Sequence, residues 1–128
     1  RGIPSGDSLD SVVEYRQRAA QAVQQVLDRL PSNRFVFGEC LDRFRRLARS
    51  QAESAHYDDA EATLARIETL LQYEAERPRI LAEVYEKTAD AVRVDGGGTD
   101  TQRRNAERCL RERARYWINL IEFSDFSY

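Results

Sequence analysis

Methionine is absent from all 128 positions, the first included. The expectation is a trimmed, processed or excised chain. Lysine occurs once, as Lys87, against 19 arginines. A GC-rich coding genome of the bacterial kind accounts for that bias; selection for the planar guanidinium is the second reading. One histidine and two cysteines without a CxxC pair are too few for a zinc site, and no metal is expected. Cys40 and Cys109 lie on the apolar stripes of expected helices, which suits small buried thiols. A disulfide between them stays open, because spacing alone does not decide it. No apolar run approaches the ~20 residues of a membrane span. Residues 1–10 hold no apolar segment of signal-peptide length. No membrane partner is expected, and the expected compartment is the cytoplasm. The net charge of −2 gives no overall field for nucleic acid or anionic lipid.

What the chain does contain is helical pattern. Apolar residues make up 41% and charged residues 33%, a globular balance on the charged side. At this length one domain can bury a real core. Residues 35–73 organise the rest. Phe37, Cys40, Leu41, Phe44, Leu47 and Ala48 step by three or four, and so do Ala60, Leu64, Ile67, Leu70 and Leu71. Each set makes one apolar stripe along a helix. The polar corner at residues 54–59 folds the two helices back so that their stripes meet.

Three further helices are expected around this hairpin. Residues 1–8 read as a flexible lead, residues 9–123 as a single helical domain, and residues 124–128 as an aromatic tail. Ser8 is the expected N-cap of helix 1, which runs to Leu30 and stops before Pro31. Its stripe reads Leu9, Val12, Val13, Ala19, Ala20, Val23, Val26, Leu27 and Leu30. Ser32 or Asn33 caps helix 2, over residues 34–53. Gly38 within it marks a close helix approach or a later helix start. Asp58 or Asp59 caps helix 3, which continues to residue 75. Pro78 opens helix 4, over residues 78–94. Asp100 or Thr101 caps helix 5, whose stripe holds Ala106, Cys109, Leu110, Ala114, Tyr116, Trp117, Leu120, Ile121 and Phe123. No strand alternation occurs. The expected fold is an all-α antiparallel bundle of about five helices.

The spacing of Phe44, Leu47, Ala48, Tyr57, Ala60, Leu64 and Ile67 resembles the large/small pattern of a tetratricopeptide helical hairpin. The resemblance covers residues 41–78. A poorer second copy runs from Leu81, Val84 and Tyr85 to Ala106, Leu110 and Arg113. It departs from the pattern by a glycine-rich insertion and by Arg113 at the third position. The resemblance implies a helical hairpin array that serves as a peptide- or protein-binding scaffold.

Chemistry-bearing residues are sparse. His56 stands in the corner beside Tyr57, Asp58 and Asp59, where a solvated turn explains it better than a general base. The segment 95–100 has three glycines between two aspartates. It lacks the preceding strand and GK[ST] ending of a phosphate loop, and it lacks the oxygen ligands of a calcium loop. It reads as a mobile linker. Asp58, Asp59 and Glu61 read as a solvated first turn. No catalytic residue and no cofactor are expected.

Charge is the strongest polar signal. Residues 34–49 carry about +3 and residues 101–117 about +4, whereas residues 50–92 carry about −6. Pairing of basic helices 2 and 5 with acidic helices 3 and 4 is the favoured explanation. The alternative is a basic face for phosphate backbone, made by Arg103, Arg104, Arg108 and Arg111. Tyr116, Trp117, Phe123, Phe126 and Tyr128 form a C-terminal aromatic cluster, part core and part candidate partner surface. The expected function is a non-catalytic protein–protein interaction or assembly module, oligomeric or part of a larger complex. Its candidate contacts are Arg103, Arg104, Arg108, Arg111, Trp117, Phe123, Phe126 and Tyr128. The alternative is a nucleic-acid-binding regulator that uses the arginine-rich helices.

Overall fold

The computed structural model describes the backbone of residues 6–94 and 96–126, and the side chains of residues 10–94 and 96–123. These residues form five α-helices and no strand: α1 (Gly6–Arg29), α2 (Arg34–Glu53), α3 (Tyr57–Leu70), α4 (Arg77–Asp90) and α5 (Asp100–Phe126). The all-α bundle expected from periodicity is the fold.

Local chemistry sets the helix ends. Asn33 caps α2 by accepting the Val36 amide at 3.0 Å. At the other end of α2, the His56 amide donates to the Gln51 carbonyl at 2.8 Å and the Ala55 amide to Ala52 at 3.3 Å. That is a Schellman turn. Its left-handed residue is Ala55, at φ 65°. Thr99 and Gln102 cap α5 reciprocally. The Gln102 amide donates to Thr99 Oγ1 at 3.1 Å, and the Thr99 amide to Gln102 Oε1 at 2.9 Å.

Several expected boundaries shift. Helix α1 is already helical at Gly6, so Ser8 lies inside it. His56 occupies the N-cap position of α3, and Asp58 and Asp59 stand in its first turn instead. Helix α3 stops at Leu70 because Leu71, fully buried, turns the chain inward. Thr99, not Asp100 or Thr101, caps α5. Gly38 lies in mid-helix, exposed, and a Cβ there would meet nothing within 4 Å. It marks no close approach.

Helix α1 packs along α2, α2 along α3, and α4 along α5, while α4 also touches α2 and α3. Short connections make chain neighbours antiparallel. Leu64, Ile67, Leu71, Leu81, Cys40 and Thr88 are fully buried at the centre. Expected core residues Phe44, Leu47, Val84, Tyr85, Leu110 and Trp117 join them. Cys109 is a correction. It is exposed, about a quarter turn from the Ala106–Leu110–Ala114–Trp117 face, and both thiols are free.

Helix α1 brings a second correction. Its apolar residues form two stripes. Val13, Ala20 and Leu27 are buried with Val23 beside them, whereas Val12, Val26 and Leu30 are exposed. Leu9 lies outside the described side chains.

Basic and acidic helices are tied by ion pairs. Arg113 of α5 reaches Glu68 of α3 at 2.9 Å. Arg111 of α5 meets Glu86 and Asp90 of α4, and Arg45 of α2 meets Glu83 at 3.8 Å.

Candidate partner-binding site

A groove of about 560 Å³ lies between α1 and α3, floored by α2. Helical spacing builds it. Gln17, Gln21, Gln24 and Gln25 recur on one side of α1 and form one wall. Asp59, Ala62, Thr63 and Arg66 of α3 form the other, and Phe44, Leu47 and Gln51 lie between. Gln51 is 5% exposed, and its Oε1 accepts the Thr63 hydroxyl at 2.6 Å. The Arg66 guanidinium stands 5.9 Å from the Phe44 ring centroid. At the end of the wall Gln24 donates to Asp28 at 2.9 Å. The groove therefore offers amide donors and acceptors over a small apolar floor. It carries one acid and one base.

The candidate residues on α5 differ in exposure and in partners. Arg111 is locked among Glu86, Asp90 and Glu107, which pushes its pKa up. Arg103 pairs with Asp100 at 3.7 Å and its side chain is 19% exposed. Arg108 is exposed and donates to Asn105 at 3.3 Å, and Arg104 is exposed. Phe123 is exposed. Trp117 is the member of the aromatic cluster that enters the core, at 4% exposure. The Phe126 and Tyr128 side chains lie outside the described residues.

Around Trp117 is a polar network that periodicity does not reveal. Glu68 accepts both arms of Arg113, at 3.0 and 2.9 Å, and the Tyr85 hydroxyl at 2.6 Å. Arg77 donates to the Glu68 carbonyl at 3.2 and 3.0 Å. The Arg77 and Arg113 guanidinium groups stand 4.8 and 5.4 Å from the indole. Burial pushes the Glu68 carboxyl up, but the Arg113 and Tyr85 donors overcome it and hold the pKa below the usual range. The indole N–H points the same way electrostatically, yet it falls short of hydrogen-bond geometry. Burial and the Glu68 charge push the Tyr85 phenol well up. These bonds join α3, α4 and α5, and the Trp117 indole N–H is the donor left without a hydrogen-bond partner among the described residues.

His56 bridges helices. Its Nε2 lies 3.0 Å from Asp10 of α1, and its Nδ1 lies 3.7 Å from Asp59. Among the described residues, no serine or cysteine hydrogen-bonds to its ring. The glycine segment is docked, where a mobile linker was expected. A Cβ on Gly96 would meet the Glu53 carbonyl oxygen at 2.0 Å, and Gly97 and Gly98 lie over Ala55. Among the described residues, no group of three His, Cys, Asp or Glu side chains could hold a metal ion. Among them, too, no helix is long and apolar enough to cross a membrane.

Comparison with known proteins returns no matching family model, no matching curated protein and no matching solved structure.

Proposed function

We propose that this domain is a non-catalytic protein-interaction module, and that the groove between α1 and α3 receives an extended peptide segment of a partner protein. The observation that carries the reading is the amide lining. A glutamine side chain both donates and accepts, as a peptide unit does. A wall of four of them beside Gln51 and Thr63 suits a polypeptide backbone, and the Phe44–Leu47 floor suits one apolar side chain of the segment. Neighbour order supports the tetratricopeptide-like reading over residues 41–78: the α2–α3 hairpin lies beside the α4–α5 hairpin, with α2 against α4. The long α5 and the docked glycine segment depart from that pattern. Exposed Arg104, Arg108 and Phe123 offer a second protein contact.

The test is selection of peptides from a displayed random library on the intact domain. Selected peptides should lose affinity by about tenfold or more on Gln21→Arg or Ala62→Arg, which fill the groove from exposed positions. They should keep it on Arg108→Ala. Failure to select any peptide, or selection of peptides indifferent to both groove substitutions, refutes the reading. The nucleic-acid alternative rests on Arg104 and Arg108, because Arg103 and Arg111 are engaged by carboxylates. It predicts binding to DNA or RNA that falls steeply as salt rises.

A further inference from the structure

The unused apolar stripe of α1 has a specific spacing. Val12, Tyr15, Ala19, Ala22 and Val26 step by three, four, three and four, a mean of 3.5, and Leu30 stands four places beyond Val26, outside that alternation. A mean step of 3.5 belongs to a seam between two helices, whereas 3.6 suits a helix lying on a core. The stripe sits about a third of a turn from Val13, Ala20 and Leu27, which are buried. Val12 is 42% exposed, Tyr15 69%, Val26 45% and Leu30 48%. Among the described residues, α1 packs chiefly along α2. The glutamine wall occupies the opposite flank of α1, so an occupant of the stripe leaves the groove open.

We propose that this stripe pairs with the same stripe of a second copy of the chain, as an antiparallel two-helix seam on a two-fold axis. Antiparallel alignment places Tyr15 against Val26 of the second copy and Ala19 against its Ala22. Each contact is made twice by symmetry. The alanines at the centre let the axes come close, and Tyr15 and Val26 close the seam on either side. In the same register Val12 falls opposite the Arg29–Leu30 end of the second copy, at both ends. Charge selects the same direction. Glu14 comes alongside Arg29 of the second copy. A parallel pair would set Arg18 on Arg18 and Arg29 on Arg29. Glu14 and Arg18 are 67% and 76% exposed and pair only with each other, at 3.4 Å, so both are free to exchange partners. This inference is independent of the groove reading, since the two use different sides of α1.

Sedimentation of the intact chain, from dilute to millimolar, tests it. A monomer–dimer equilibrium is expected. Val26→Arg should weaken the dimer by about tenfold or more and leave helix content unchanged, because position 26 is exposed. Glu14→Arg should weaken it, and adding Arg29→Glu should restore it. With Cys109→Ser as background, copies bearing Tyr15→Cys should crosslink to copies bearing Val26→Cys, and neither should crosslink to itself. A monomer throughout the range overturns the proposal, as does a dimer unmoved by Val26→Arg. Self-crosslinking of the Val26→Cys copies overturns the antiparallel direction.

Discussion

Helix α2 carries glycine where alanine belongs, and alanine where glycine belongs. Gly38 stands in the helix interior, exposed, with nothing within 4 Å of a Cβ added there. Alanine should therefore gain the full helix-propensity difference, about 1 kcal/mol, with no steric cost. Ala55 holds the left-handed position of the Schellman turn at φ 65°. An L-residue there costs about 1–2 kcal/mol, part of which glycine returns as greater freedom of the unfolded chain. Loss of the half-buried Ala55 methyl takes a little more, so Ala55→Gly should gain about 0.5–1 kcal/mol. The two positions are 17 residues apart along one helix, roughly 25 Å, and share no neighbour. Their effects should add to about 1.5–2 kcal/mol. For a domain of this size that raises the melting temperature by roughly 5 °C or more. Circular dichroism melts and urea titrations of both single variants and the double variant measure it. Destabilisation by Gly38→Ala would mean that a neighbour covers that face of α2. Destabilisation by Ala55→Gly would mean that the corner is not left-handed at residue 55.

Other expectations follow from the packing. Glu68→Gln keeps the shape but loses the charge under Arg113. Because the Arg113 side chain is 42% exposed, the cost should be about 1–2 kcal/mol, below that of a fully buried pair. The Glu68 pKa is lowered in the fold, so its stabilisation is present above the ordinary carboxylate range, near pH 4.5, and is lost as pH falls through the folded value. Urea titrations should show a shallower acid decline in Glu68→Gln than in the parent. Gly96→Ala must displace the Glu53 carbonyl and should destabilise by about 2 kcal/mol or more, read as a lowered melting temperature. A thiol reagent at neutral pH should modify exposed Cys109 promptly. Cys40, buried and with its pKa pushed up by that burial despite Arg66, should react only on unfolding.

Much of the fold is legible in the chain, because apolar residues at every third or fourth place leave few alternatives to helices laid on one another. The α2 limits follow from Asn33 and from the corner. The α5 start is legible too, since Thr99 and Gln102 have capping-box spacing, although Asp100 and Thr101 are also residue types that cap helices. The two stripes of α1 were not separable. They lie only about a third of a turn apart, so a single helix with no stated neighbour reads them as one broad face. Cys109 failed for a related reason, lying just off the buried face of α5. The partners of Glu68 and the amide-lined groove depend on how far α1, α3 and α5 splay, and no local pattern encodes that distance. The basic-to-acidic pairing of helices was visible as charge blocks, but its particular bonds were not.

Trp117, the one tryptophan in the chain, lies on α5 among arginines from α4 and α5, whereas α1 packs chiefly on α2. Its fluorescence therefore watches one end of the molecule. Ellipticity in the far ultraviolet counts every helix. In an array where each helix leans on its immediate neighbours, the first helix can melt without the indole noticing. Denaturation curves from the two signals need not coincide, and the gap between them would measure how loosely the first helix is held.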